Sequence, residues 1–283
     1  MTALTEHRHV LGLSGGKDSA ALAVYMRDNY PELSIEYYFT DTGKELQEVY
    51  EFIDKLEGYL GQEIVRLNPS RDFDFWLDQY NSFLPSPVSR WCTRKLKIEP
   101  FERWISSTLE AGGRVTSYVA IRADEDRGGY KPTNPNIEVR FPFADDGIVK
   151  SDVKRILEES GLGLPDYYKW RSRSGCTFCF YQRKIEWVRL KQQHPELFEE
   201  AKQYEKTAID HGSPFTWSEG ESLVDLEDPE RMAEIEADFE RRKQRMIEER
   251  RLNPLLDGLD AEEDIDELYG LDEVGHSCVI CHK

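Results

Sequence analysis

Six residues near the start of the chain carry the strongest chemical signal: Ser14, Gly15, Gly16, Lys17, Asp18 and Ser19. They follow the apolar run Val10, Leu11, Gly12, Leu13 and precede the helix-forming run Ala20, Ala21, Leu22, Ala23, Val24, Tyr25. A buried strand, a glycine turn and a helix N-terminus thus fall in one short window. Such a turn aims unpaired backbone N–H groups and the positive end of a helix dipole at one point, which suits a phosphate. Gly15 and Gly16 let the backbone approach where a Cβ would collide. Lys17 adds a point charge, and Ser14 and Ser19 add hydroxyl donors. The spacing differs from a Walker A loop, which places four residues between its glycines.

Asp18 belongs to this loop, and Asp41 follows the strand-like residues Tyr37, Tyr38, Phe39 and Thr40. Both are candidates for holding Mg²⁺ or positioning a nucleophile, because Mg²⁺ bridges phosphate oxygens and offsets charge on a departing pyrophosphate. The run Thr40, Asp41, Thr42, Gly43 reads equally well as a capped turn. The second element is Cys92 among Arg90, Arg94, Lys95 and Lys97. Cations around a thiol lower its pKa and can hold an oxyanion; the alternative is a buried cysteine on a helix surface. Two CxxC pairs follow, Cys176 with Cys179 and Cys278 with Cys281. Both Cys₄ zinc sites and iron–sulfur clusters use such pairs. A redox pair, or free thiols at the second CxxC, is the rival reading. The chain has 5 cysteines, one more than four ligand places need.

The elements that must position these residues follow from hydrophobic period. Strands are expected over 9–13, 34–39, 63–67 and 118–121, with helices over 19–30 and 44–59. Alternation of this kind implies βαβ units and a doubly wound, mostly parallel α/β sheet with helices on both faces. The turns at 14–19, 40–42 and 122–125 should then meet beyond the C-terminal strand ends, bringing Arg122 to the loop. Residues 124–175 read as loop-rich, with a helix near 152–160. Further helices are expected over 184–205 and 232–251, the latter solvated. Residues 257–273 read as a weakly packed linker or a partner-binding tail. Three regions result: a nucleotide-binding core over 1–125, a cysteine and basic cluster region over 126–218, and an acidic, mainly helical extension over 219–283.

The net charge of −18 is uneven: residues 219–283 carry −13 and the first 218 about −5. Within that body Arg90, Arg94, Lys95, Lys97, Arg171, Arg173, Arg183 and Lys184 gather beside cysteines. A basic pocket on an acidic chain fits an anionic ligand better than a broad DNA-binding face. No run of about 18 apolar residues is present, so no membrane span is expected. The first nine residues lack the apolar stretch of a signal peptide, so the expected location is cytoplasmic, where thiols stay reduced.

Residues 14–19, 92–100 and 122–125, in this order, resemble the phosphoadenosine phosphosulfate (PAPS) reductase family of PP-loop ATP pyrophosphatases. The resemblance runs from about residue 9 to 206. It implies an adenine nucleotide alpha hydrolase-like fold, ATP split between its α- and β-phosphates, and Mg²⁺. It also implies a [4Fe–4S] cluster on a Cys-Cys-x-x-Arg-Lys element and a later CxxC, with zinc as the rival. Here Trp91 replaces the first of those cysteines. The ligands would then be Cys92, Cys176 and Cys179, with the fourth from Cys278 or Cys281. The reductases' C-terminal Glu-Cys-Gly-(Ile/Leu)-His element has no match in residues 275–283.

Residues 175–184 with 194–198 are similar to the DndC- and SspD-type proteins of DNA phosphorothioation. That likeness implies a cysteine desulfurase as sulfur donor, with DNA presented through partner proteins. The expected function is an iron–sulfur ATP pyrophosphatase that adenylates an acceptor for sulfur incorporation. Lys17, Asp18, Arg94 and Arg122 would act in catalysis, and residues 14–19 with Asp41 would bind the cofactor. The alternatives are a PAPS or adenylylsulfate reductase and a non-catalytic nucleotide-binding adaptor.

Overall fold

The computed structural model describes residues 6–252 other than 69, 70, 127, 130, 131, 214 and 219, together with Ile265 and Leu268. Five parallel strands form one sheet in the order β3-β2-β1-β4-β5. They are β1 (His7–Leu13), β2 (Ile35–Phe39), β3 (Ile64–Arg66), β4 (Arg114–Tyr118) and β5 (Ile137–Arg140). β1 is central, with Leu13 beside Phe39 of β2 and Leu11 beside Tyr118 of β4. The chain runs to β2 and β3 on one side and to β4 and β5 on the other, so the strand order reverses between β1 and β4. In open α/β sheets ligands bind at such a reversal, beyond the carboxyl ends of the strands.

Strand side chains alternate between faces. Leu11, Leu13, Tyr37 and Phe39 pack in one cluster with α1 (Lys17–Asn29), α2 (Gln47–Leu60) and α7 (Lys150–Glu159). Val10, Tyr38, Val115 and Ile137 pack in a second cluster with Phe101 and Ile105 of α5 (Glu99–Glu110). The sheet is thus covered on both faces, and the doubly wound α/β expectation is borne out. Each fully buried aliphatic side chain contributes about 1.5–3 kcal/mol relative to leaving it exposed. α1 buries Ala20, Ala21, Leu22, Ala23 and Val24; its small residues let α7 pack closely on it.

Helices α3 (Phe73–Gln79) and α4 (Trp91–Thr93) precede a π-helical turn at Arg94–Ile98, which leads into α5. α6 (Pro142–Asp145), α7 and a 3₁₀ turn at Asp166–Lys169 lie in the stretch expected to be loop-rich, as does β5. Two other expectations need correction. β4 ends at Tyr118, and Val119, Ala120 and Ile121 are buried outside it, because the Ile121 N–H turns back to the Val119 carbonyl at 2.9 Å. The single helix expected over 184–205 is two, α8 (Lys184–Gln193) and α9 (Pro195–Asp210). Proline excludes the helical conformation from the residue before it and fits the first position of a new helix. His194 accordingly sits at φ −136°.

α10 (Leu223–Leu226) and α11 (Pro229–Leu252) complete the described chain. α11 is not simply solvated: Ile235 and Phe239 are buried and the helix packs on α8. Ile265 and Leu268 are 2% and 8% exposed and join the main core, contrary to weak packing throughout 257–273. No described helix is long and apolar enough to cross a membrane.

Candidate functional site

The loop after β1 runs into α1 with Gly16 as the residue before the first helical position. Gly15 adopts φ +72°, and a Cβ there would lie 2.6 Å from Val49 Cγ1 of α2. A Cβ on Gly16 would approach Ser174 Oγ to 2.8 Å. Gly15 is therefore required by both conformation and contact, whereas a side chain at Gly16 would make the Ser174 hydroxyl move. The hydroxyls close the loop on itself: Ser19 Oγ accepts from Ser14 N–H at 3.2 Å, and Ser14 Oγ accepts from Gly16 N–H at 3.3 Å.

Asp18 is 4% exposed and holds a cation on each oxygen. Lys17 Nζ donates to Oδ2 at 2.8 Å and Arg122 Nη1 donates to Oδ1 at 2.7 Å. Arg122 also meets Asp124 at 2.9 Å and Glu125 at 2.7 Å. This network spans the gap between the ends of β1 and β4, where the strand order reverses. Burial works against the charge on Lys17, but the Asp18 carboxylate outweighs it and holds the ammonium well above its usual range. Arg122 follows the same balance, with Asp18 and Glu125 overriding burial.

Three contacts to the loop come from far along the chain. Tyr167 Oη donates to the Gly15 carbonyl at 2.7 Å, Lys17 N–H donates to Tyr168 Oη at 3.2 Å, and Ser174 Oγ donates to Ser14 Oγ at 3.1 Å. Sequence reasoning missed all three. The pairs are 151–160 residues apart, and no periodic signal marks them.

Asp41 closes its own turn. Its Oδ1 accepts from Gly43 N–H and from Tyr50 Oη, each at 2.7 Å. Among the described residues it makes no hydrogen bond to the loop at 14–19. Arg94 is half exposed and turns to Glu102 at 3.1 Å and Glu99 at 3.5 Å, so no ion pair brings it to Asp18.

Cys92, Cys176 and Cys179 line one cavity of about 30 Å³, with Lys97, Thr42 and Phe178 among its other walls. Thr177 fixes the CxxC turn by donating from N–H and Oγ1 to the Lys44 carbonyl, at 2.7 and 3.0 Å. Arg171, 1% exposed, donates to the Gly175 and Cys176 carbonyls from the other side. The hydrogen bond to Cys179 and burial, with Glu45 and Cys92 nearby, push the Cys176 thiol well above its usual range. Cys278 and Cys281 lie outside the described residues. Among the described residues no group of three or more His, Cys, Asp or Glu side chains converges to hold a metal ion. Trp91 points into the core, stacked on Tyr80 at 5.0 Å with its Nε1 donating to the Phe83 carbonyl.

Phe180 and Trp217 separate this cavity from a wide groove of about 1070 Å³. Arg183, Lys184, Arg231, Arg241 and Arg242 on the groove outnumber Glu234 and Asp238. The groove thus carries a modest excess of cations, with Lys184 and Arg231 paired to Glu221 and with Arg241 and Arg242 paired to Asp238.

Residues 8–139 match the phosphoadenosine phosphosulfate reductase domain family. Two uncharacterized proteins of Methanocaldococcus jannaschii are 27% identical to the chain, over 196 and 192 residues. These matches cover 67% and 65% of this chain but only 40% and 44% of those proteins. Among solved structures, a phosphoadenylyl-sulfate (PAPS) reductase from Candida auris, in a phosphate complex, has 13% identity and a TM-score of 0.47, covering 62% of this chain and 84% of that one. An NH3-dependent NAD synthetase from Campylobacter jejuni, in complex with nitrate ion, has 17% identity and a TM-score of 0.39, covering 75% and 89%.

Proposed function

From the phosphoadenosine phosphosulfate reductase domain over residues 8–139, we propose that the chain is an ATP pyrophosphatase-type enzyme that adenylates an acceptor for sulfur incorporation. The observation that carries this reading is the buried Asp18 carboxylate held between Lys17 and Arg122 at the N-terminus of α1. Lys17, Arg122 and the first amides of α1 would meet phosphate oxygens, with Asp18 holding the two cations in position before any ligand arrives. An acceptor oxygen attacks the α-phosphorus, the bond from that phosphorus to the bridging oxygen breaks, and pyrophosphate leaves. Lys17 and Arg122 stabilise charge on the departing oxygens, and Asp18 sets the distance between them. Mg²⁺ bound with the nucleotide neutralises further phosphate charge. Asp41 stiffens the turn after β2 beside the nucleotide.

The three thiols in the second cavity's lining, those of Cys92, Cys176 and Cys179, suit an iron–sulfur group in donor type. Cys92, Cys176 and Cys179 would hold a [4Fe–4S] cluster, with Cys278 or Cys281 as fourth ligand. Bound there, the group would supply sulfur or redox chemistry next to the nucleotide. The likeness of residues 175–184 and 194–198 to DndC- and SspD-type proteins supports DNA phosphorothioation as the process and a cysteine desulfurase as donor. The modest excess of cations on the groove beside the cysteine cavity supports an anionic acceptor. The cytoplasm is the proposed compartment.

Pyrophosphate release from ATP by the anaerobically purified protein tests the reading. It should be abolished by Lys17→Ala. Sulfite release from a sulfonucleotide with a thiol reductant, without pyrophosphate release from ATP, would overturn it in favour of a reductase. Undiminished product in cells carrying Lys17→Ala together with Asp18→Ala would favour a non-catalytic adaptor.

A further inference from the structure

The first amide of a helix has no acceptor within that helix, and at a phosphate loop it is one of the donors an anion takes. Here that amide is engaged. The Lys17 N–H donates to the Tyr168 hydroxyl at 3.2 Å, and the Lys17 ammonium lies 5.4 Å from the centroid of the same ring. The phenol oxygen stands where an anion's oxygen would stand. Tyr168 belongs to the 3₁₀ turn Asp166–Lys169 and is half-buried.

Its neighbours tie the same segment to the loop. Tyr167 stacks on Tyr168 at 4.7 Å and donates to the Gly15 carbonyl, and Ser174 donates to Ser14. A few residues later the segment supplies Cys176 and Cys179 to the cysteine cavity. Residues 167–179 therefore form a short, hydrogen-bonded link between the two sites.

We propose that Tyr168 is a positioning residue whose hydroxyl holds the place of a phosphate oxygen on the Lys17 amide, and that an incoming phosphate displaces it and shifts the segment carrying Cys176 and Cys179. The inference rests on the nucleotide reading of the loop. Binding is then an exchange: the amide gives up the phenol and takes the phosphate. Tyr168→Phe removes the competitor from the free protein and leaves the bound state nearly intact.

The test is calorimetric titration of the full chain with inorganic pyrophosphate and with ATP, each with Mg²⁺. Tyr168→Phe should bind about 2- to 12-fold more tightly than wild type, the range set by the net worth of one hydrogen bond. Unchanged or weaker binding by the variant overturns the proposal while leaving the nucleotide reading intact. No binding by the wild type overturns that reading itself. A second measurement needs no variant. Amide hydrogen exchange at Asp166–Lys169 should accelerate several-fold when pyrophosphate is added, with an accompanying change at residues 176–179. Slower exchange at the 3₁₀ turn would overturn the displacement.

Discussion

Replacing Arg122 with Met probes the ion network on which the proposed chemistry depends. Met retains an unbranched apolar chain and removes the guanidinium. The Asp18 side chain is 5% exposed and cannot regain water, whereas that of Asp124, at 37%, can turn outward. Removing one partner of a buried pair costs about 3–5 kcal/mol. Lys17 stays 2.8 Å from the other Asp18 oxygen, so the lower end, about 3 kcal/mol, applies. At roughly 2–4 °C per kcal/mol for a chain of this size, Tm should fall by about 6–12 °C. Pyrophosphate release should drop by about 10²–10³ in kcat, as when a preorganised donor to developing charge is lost.

The decisive version is a double-mutant cycle with Asp18→Asn. In that background the guanidinium has no Asp18 charge to compensate, and Arg122→Met should cost about 1 kcal/mol or less, as for an exposed pair. Urea unfolding of the four proteins should return a coupling of about 2 kcal/mol, within the range seen for contacting residues. Costs that add to within about 0.5 kcal/mol would refute the reasoning.

Gly15→Ala should lower stability by about 1–3 kcal/mol, because it combines φ +72° with a clash on Val49. Val49→Ala in the same protein should recover only the steric part, which thermal melts can resolve. Burial pushes the Glu205 carboxyl up against the opposing pull of the Leu223 and Trp217 N–H groups. The native state then keeps a proton that the unfolded state has released, so this contribution is largest below the ordinary carboxylate pKa and fades as pH rises through the raised one. Glu205→Gln should flatten that part of the stability–pH curve from about pH 4 upward; parallel urea-derived curves would contradict the assignment. Cys92→Ser and Cys176→Ser should each lower the iron content of anaerobically purified protein. A colourless, zinc-loaded wild type would remove the cluster from the proposal.

The loop at 14–19 was legible because its parts are contiguous: strand, turn and helix start adjoin in sequence as they do in space. Arg122 was legible for a weaker reason. The apolar run 118–121 marks burial, and burial ends at Arg122 even though the strand has already ended at Tyr118. The direction Arg94 takes was not legible, because it is set by a local irregularity. The π turn at Arg94–Ile98 brings it over Glu99, five residues on, rather than toward the sheet. The helix break at Pro195 could have been read from the proline alone. Tyr167 and Tyr168 could not, since nothing local distinguishes a tyrosine pair in a loop from one that meets a glycine carbonyl 152 residues away.

The two tyrosines also bear on how the loop chooses its ligand. Lys17 and Arg122 face Asp18, Asp124 and Glu125, so the ion network has no spare positive charge of its own. The Ser14, Ser19 and Ser174 hydroxyls bond to one another or to the loop backbone, and Tyr168 occupies the Lys17 amide. An anion therefore displaces existing bonds instead of filling vacant donors, and its net gain is a difference between similar terms. A single phosphate offers too few contacts to win that exchange by much. A polyphosphate arriving with a divalent cation replaces several bonds at once and offsets the carboxylates as well. If the loop takes a nucleotide as proposed, the contacts it already makes should favour ATP and pyrophosphate over inorganic phosphate, which parallel calorimetric titrations would compare.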